Sequence, residues 1–193
     1  TPMTETQIFE PDGRAIPFVD EGDGPVKLVL IQERDLAADV LGVVGHYLAE
    51  EAGFHVVRIG HRAEVKGEDP SLDARVEDVL AVIDDIGLGD TWIGGHGFGG
   101  TVARAFALAH PDRVNGLALL GVEKDETPLA PVIPVLIIQG SADMVTPPAN
   151  GEALQSTAPE RASVKSIDGA DHLFPMTHPI ETAVNLEEYL DWD

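Results

Sequence analysis

Three short stretches of the chain carry the residue types that could do chemistry. Gly94-Gly95-His96-Gly97-Phe98-Gly99-Gly100 lies between an apolar run and an amphipathic one, Gly140-Ser141-Ala142-Asp143 follows a second apolar run, and Asp168-Gly169-Ala170-Asp171-His172 follows a third. Glycines on both sides of one residue at a strand-to-helix turn allow a bend tight enough to present that residue above a sheet; here the residue is Gly97. A glycine-rich junction of this kind can also bind phosphate at a helix N-terminus. This one lacks the lysine of a P-loop, and a GxGxxG fingerprint belongs after the first strand of its fold, so phosphate cradling is disfavoured. Taken singly, Asp143 reads as a turn former ahead of Pro147-Pro148 and His172 as a loop histidine. Their joint position after consecutive strands makes them candidates for shared work.

Composition removes other chemistry. There is no Cys among the 193 residues, which excludes disulfides, thiolate catalysis and Cys-ligated zinc. The seven histidines, at 46, 55, 61, 96, 110, 172 and 178, show neither HExxH nor a tight two-ligand spacing, so no metal and no other cofactor is expected. Twelve Lys and Arg stand against 34 Asp and Glu, a net charge of −22. That balance argues against nucleic acid, whose binding rests on cations that release phosphate counterions. No apolar run approaches the roughly 18 residues of a membrane span, and residues 1–18 hold acids and prolines where a secretory signal needs basic and then apolar stretches. The expectation is a soluble, cytoplasmic protein with no nucleic-acid or membrane partner, folded as one domain over residues 1–193.

The elements that must position these residues follow from periodicity. Candidate strands lie at 6–9, 15–19, 26–31, 54–59, 91–93, 114–120, 132–139 and 162–167; several are short continuous apolar runs that suit strands buried on both faces. Helices are predicted at 35–52, with Leu36, Val40, Val44 and Leu48 at four-residue steps, and at 71–86, with Ser71 as N-cap and Gly87 beyond its end. Further helices are predicted at 98–109, 148–157 and 179–192. Strands alternating with helices call for a mostly parallel sheet of about eight strands with helices on both faces, and ligands in such sheets bind beyond the carboxyl ends of the strands.

The order of glycine elbow, acid and histidine at successive strand ends resembles the α/β-hydrolase superfamily, whose members carry nucleophile, Asp or Glu, and His in that order. The resemblance runs over essentially the whole chain, through the opening hairpin, Gly22-Asp23-Gly24-Pro25, Ala109-His110-Pro111-Asp112-Arg113-Val114 and the helix from Pro179. It implies the α/β-hydrolase fold, with Gly97 at the nucleophile position, Asp143 as the acid and His172 as the base, Asp143 holding the imidazole tautomer that faces the elbow. It also implies an oxyanion hole built from the backbone N–H of Phe98 and the loop at Glu33 and Arg34. Gln32, His96 and Met144 flank these positions and are expected to line any pocket.

The chain departs from that pattern in three places. The elbow reads Gly95-His96-Gly97-Phe98-Gly99, so the family's serine is replaced by a residue with no hydroxyl, and an acyl-enzyme mechanism has no attacking group. Gln32-Glu33-Arg34 stands where the family commonly has His-Gly. An ionised Glu33 pointing inward would repel a developing oxyanion; Glu33 could instead pair with Arg34 or Arg62 or, desolvated, act as a raised-pKa acid facing His172, and the plainer expectation is a solvent-facing loop glutamate. Residues 121–134 are too few and too rich in proline for the usual helical lid. Three readings stay open: an inactive or weakly active homologue that binds a small molecule or a partner, a divergent hydrolase in which Asp143 and His172 activate a water above Gly97 against a small ester or lactone, and a serine esterase-type hydrolase inactivated by an introduced Ser-to-Gly change.

Overall fold

A computed structural model describes residues 5–34, 36, 39–62 and 69–191. Eight strands form one sheet, β1 (Gln7–Phe9), β2 (Ile16–Glu21), β3 (Lys27–Ile31), β4 (His55–Ile59), β5 (Thr91–His96), β6 (Val114–Leu120), β7 (Val135–Gly140) and β8 (Ala162–Ile167). Their spatial order is β1-β2-β4-β3-β5-β6-β7-β8. β1 and β2 pair antiparallel, β2 meets β4 antiparallel, and every pairing from β4 to β8 is parallel. The helices are α1 (Gly42–Glu50), α2 (Leu72–Ile86), α3 (Phe98–Ala109), α4 (Pro148–Ser156), the single turn α5 (Phe174–Thr177) and α6 (Pro179–Leu190).

The central strands β3, β5, β6 and β7 are apolar and covered on both faces. On one face Val29, Ile93, Leu117 and Ile137 pack under α2 and α3; on the other Leu28, Leu30, Leu120 and Ile138 pack under α1 and α6. α2 begins and ends as its sequence dictates: the Ser71 hydroxyl accepts a hydrogen bond from the Ala74 N–H at 3.1 Å, and Gly87 closes the helix at φ 77° with its N–H on the Ile83 carbonyl. Among the described residues no helix is long and apolar enough to cross a membrane.

Three boundaries differ from the sequence reading. α1 starts at Gly42, not near residue 35; Leu36 is exposed, and residues 35, 37 and 38 of the predicted helix lie outside the described residues. The reason is charge: Asp39 is turned onto the buried Arg58 guanidinium, and its carbonyl accepts the Gly42 N–H, which occupies the first turn with a pairing that periodicity does not register. β5 runs on through Gly94 and Gly95, which read as a turn, because any Cβ at Gly94 would lie 2.0 Å from the Ala118 carbonyl of the neighbouring strand. β7 begins only at Val135, since Val132 sits at φ 79° with 87% of its surface exposed.

Two features of this frame set the site. The connection from β6 to β7, residues 121–134, carries no helix, so no lid covers the carboxyl edge there. The start of α3 approaches the end of β3 so closely that a Cβ on Gly99 would fall 2.0 Å from the Ile31 carbonyl oxygen. Gly99→Ala is therefore expected to cost more than about 3 kcal/mol of unfolding free energy, because backbone must move. Gly89→Asn, at φ 73° with open space around it, should cost about 1 kcal/mol or less. Urea unfolding of both variants checks the contrast, and equal losses would contradict it.

Candidate active site

The elbow is built by β5 handing over to α3 in a single residue. Gly97 sits at φ 56° and ψ −117°, a conformation that side chains strain to adopt, with its N–H on the Leu120 carbonyl and its own carbonyl accepting the Gly100 and Thr101 N–H groups. The corner thus points its missing side chain away from the sheet, and a carboxylate fills the place. A Cβ on Gly97 would lie 1.7 Å from Glu33 Oε2.

Glu33 comes from the loop that follows β3 and is turned inward, with its side chain 10% exposed. This corrects the expectation of a solvent-facing glutamate. Glu33 Oε1 accepts the backbone N–H of Phe98 at 2.9 Å and that of Arg34 at 2.9 Å, and Oε2 lies 2.8 Å from His172 Nε2. Two N–H groups converging on one oxygen, one from the residue after the elbow and one from the loop after β3, form the geometry that binds an oxyanion. Here a carboxylate of the same chain is the anion. Glu33 Oε2 takes the place directly above Gly97 where one sequence reading put a water.

His172 follows β8, and its other nitrogen, Nδ1, is 2.9 Å from Asp143 Oδ2. Asp143 follows β7 and uses its oxygens separately. Oδ1 accepts the N–H groups of Val145 and Thr146, both at 2.9 Å, which makes the tight turn before Pro147; Oδ2 faces His172 and accepts the Thr146 hydroxyl at 2.7 Å. The turn-forming role and the histidine-facing role of Asp143 coexist in one carboxylate. Thr146, which sequence reasoning passed over, also stands 3.0 Å from His172 Nδ1. Its only signal was its place three residues after Asp143, where a hydroxyl commonly closes an Asx turn.

His96 does not line a cavity. It is fully buried, stacks on the His172 ring with centroids 4.4 Å apart, and places Nε2 2.7 Å from the His172 carbonyl oxygen. A carbonyl only accepts, so Nε2 carries the proton. Burial and the neighbouring His172 charge push the His96 pKa down to about 4, which keeps this ring neutral. Met144 is 91% exposed and faces solvent, whereas Gln32 borders a small cleft beside Asp39 and Arg58 and sets its carbonyl against Gly99, where a Cβ would lie 2.7 Å away. The Arg34 backbone N–H donates to Glu33 Oε1, while its guanidinium lies 3.5 Å over the Phe98 ring. Among the described residues no cluster of His, Asp and Glu is arranged to hold a metal ion.

The charges follow from these contacts. Burial pulls the His172 pKa down, but the hydrogen bonds its ring donates to Glu33 and Asp143 outweigh it and hold it above the usual 6.5. Burial raises Glu33, yet the His172, Phe98 and Arg34 hydrogen bonds leave its pKa below the usual 4.5. Asp143 is likewise raised by burial and brought below 3.8 by His172 and Thr146. The result is an imidazolium between two carboxylates, with both ring N–H groups donated and no lone pair available to take a proton.

The pH dependence has a definite sign. His172 adds stability that is complete below its unfolded value near 6.5 and is lost as pH rises through its raised folded pKa; Glu33 and Asp143 add stability above their unfolded values that is lost as pH falls through their lowered ones. His96, neutral down to about 4, also makes stability fall as pH drops below 6.5. Wild-type unfolding free energy should therefore decline on both sides of a maximum between about pH 6 and 7. In Glu33→Gln the alkaline decline should be smaller and finish at lower pH, because it still starts at the unchanged unfolded value, and the His172 ring midpoint read by NMR should fall. A wild-type midpoint at or below 6.5 would contradict this charge assignment.

Comparison with known proteins places the chain. Residues 73–174, more than half of it, match the family model described as "Alpha/beta hydrolase family". The chain is 31% identical over 97 residues to "Lipase LipV" of Mycobacterium tuberculosis; the match takes up 50% of this chain but 37% of the lipase, so the chain spans well under two thirds of that curated relative. Among solved structures it is similar to a thermophilic esterase from Thermogutta terrifontis, with TM-score 0.81, 19% identity and 98% of both chains covered. It is also similar to a bromoperoxidase from Bacillus anthracis, with TM-score 0.81, 16% identity, and 97% of this chain and 100% of the other covered. The matched region contains Gly97, Asp143 and His172, and the chain belongs to the alpha/beta hydrolase family.

Proposed function

We propose that this chain is a hydrolase-family protein whose acyl-transfer centre is closed by its own Glu33, and that it binds a small molecule or a partner in the cytoplasm without forming an acyl-enzyme. The observation that carries the reading is the double engagement of the Glu33 carboxylate, one oxygen on the Phe98 and Arg34 N–H groups and the other on His172. A substrate carbonyl would have to expel a buried carboxylate from both donors before it could be polarised, and no hydroxyl stands at Gly97 to attack it. With both nitrogens facing carboxylates, His172 also has no free lone pair with which to activate a water. The fit of Glu33 to Gly97 favours a glycine native to this site over an introduced one, since the Cβ of a serine there would overlap Oε2.

The test separates an occupied centre from one that merely lacks a nucleophile. Wild type and Gly97→Ser should both fail to react with a fluorophosphonate probe and should not hydrolyse p-nitrophenyl acetate above background, since Glu33 blocks the hydroxyl in the single variant. Combining Gly97→Ser with Glu33→Gly should restore covalent labelling and raise ester turnover on the order of 10³-fold or more, in line with what a triad serine contributes. Wild-type hydrolysis that disappears in His172→Gln would overturn the proposal, as would equal labelling of the single and double variants.

A further inference from the structure

Of the eight arginines in the chain, seven are within ion-pair distance of a carboxylate among the described residues, and Arg104 is not. Arg104 lies on α3, 2% exposed, in a protein of net charge −22. Its Nε and Nη1 have no hydrogen-bond partner among the described residues, and Nη2 reaches only the carbonyls of Asp125 and Thr127. A guanidinium keeps its charge when buried, so donors left unfilled are a standing cost that an anion would remove.

The topology leaves room for one. A parallel sheet normally covers each crossover with a helix, but the β6-to-β7 connection has none, and a cleft of about 420 Å³ remains between α3 and α4. That volume lies in the range of small-molecule sites. Arg104 borders it, Lys124 stands at its rim, and Ala149, Ala153, Leu154 and Val122 supply an apolar wall. Two acids also border it, and both are turned to other partners: Glu123 accepts the Thr101 hydroxyl at 2.6 Å, and Asp125 accepts the Thr127 N–H and hydroxyl at 2.8 and 2.5 Å.

We propose that this cleft is a binding site for a small monocarboxylate with an apolar tail, its carboxylate on the Arg104 fork in place of the Asp125 and Thr127 carbonyls and its tail along α4. The planar guanidinium matches a carboxylate with two parallel hydrogen bonds. Glu123 and Asp125 select a single negative charge over a dianion such as phosphate. The site stands beside the Glu33 centre and does not open into it; the seam between Gly97, Gly121 and Arg104 has no room for a water molecule. The proposal holds whether or not the elbow hydrolyses anything.

Sodium hexanoate titrated into the full chain and followed by amide chemical shifts and thermal unfolding tests it, with hexanamide and sodium chloride as controls. Hexanoate should bind saturably, raise the melting temperature, and perturb amides at residues 122–125 and 149–157. Arg104→Met should fold at least as stably as wild type and lose tenfold or more in affinity, Lys124→Gln should lose two- to threefold, and Ala153→Trp should block the cleft while leaving Arg104 in place. Absence of saturable binding, equal binding of hexanamide, an equal effect of chloride, perturbations centred on Glu33 and His172, or hexanoate affinity unchanged in both Arg104→Met and Ala153→Trp would each overturn the proposal.

Discussion

An imidazolium held between two carboxylates organises the carboxyl edge of this sheet. Each of the three groups is costly to bury alone, and each is acceptable only because the others are there: Asp143 Oδ2 on Nδ1 of His172 and on the Thr146 hydroxyl, Glu33 Oε2 on Nε2, and the remaining carboxylate oxygens on backbone N–H groups. Removing one partner of such a buried set leaves an uncompensated charge and costs about 3–5 kcal/mol. Gly97 belongs to the same arrangement, since the space that Oε2 occupies is the space where a side chain at that corner would begin.

The scaffold makes this meeting unavoidable. β3, β5, β6 and β7 are neighbours in the sheet, so the loops that follow β3, β5 and β7 open side by side at one edge, and β8 adds His172 from the next position. The distance between the β3 loop and the elbow is set by the absence of side chains, with Gly99 under the Ile31 carbonyl and Gly95 against the backbone of Gly99 and Gly100. Glu33 spans the gap that remains. Behind His172, the neutral His96 ring stacks face to face and donates to its carbonyl, which fixes the imidazolium plane from a side where a second charge would repel it.

The parts of this structure that follow from local rules were legible in the amino-acid sequence. The alternation of strands and helices, the Ser71 cap, the Gly87 terminator and the strand-end positions of Asp143 and His172 all depend on residues close together in the chain. What escaped depends on partners far apart. α1 starts late because Asp39 answers to Arg58, nineteen residues on; β5 is longer than its pattern because Gly94 lies against the neighbouring strand and Gly95 against the start of α3; and Met144 points outward despite its position next to Asp143. Glu33 was visible as an anomaly, an acid where an oxyanion-binding loop belongs, but its inward turn is a tertiary fact. It rests on N–H groups at Phe98 and Arg34 and on a histidine 139 residues away.

The pairing of glycine at 97 with glutamate at 33 differs in kind from the loss of a serine. An oxyanion hole is two N–H groups kept ready for a charge that exists fully only in a transition state, and in the resting protein those donors and the histidine beside them are underused, a local cost that active sites carry for reactivity. Deleting the hydroxyl alone would leave that cost in place. Supplying a permanent carboxylate removes it, because Oε1 satisfies both N–H groups and Oε2 converts a weakly paired imidazole into a doubly paired imidazolium. On the function proposed above, the same contacts that stabilise the edge take away the lone pair and the hole that acyl transfer needs. In this geometry, stability and acyl transfer compete for the same three donors.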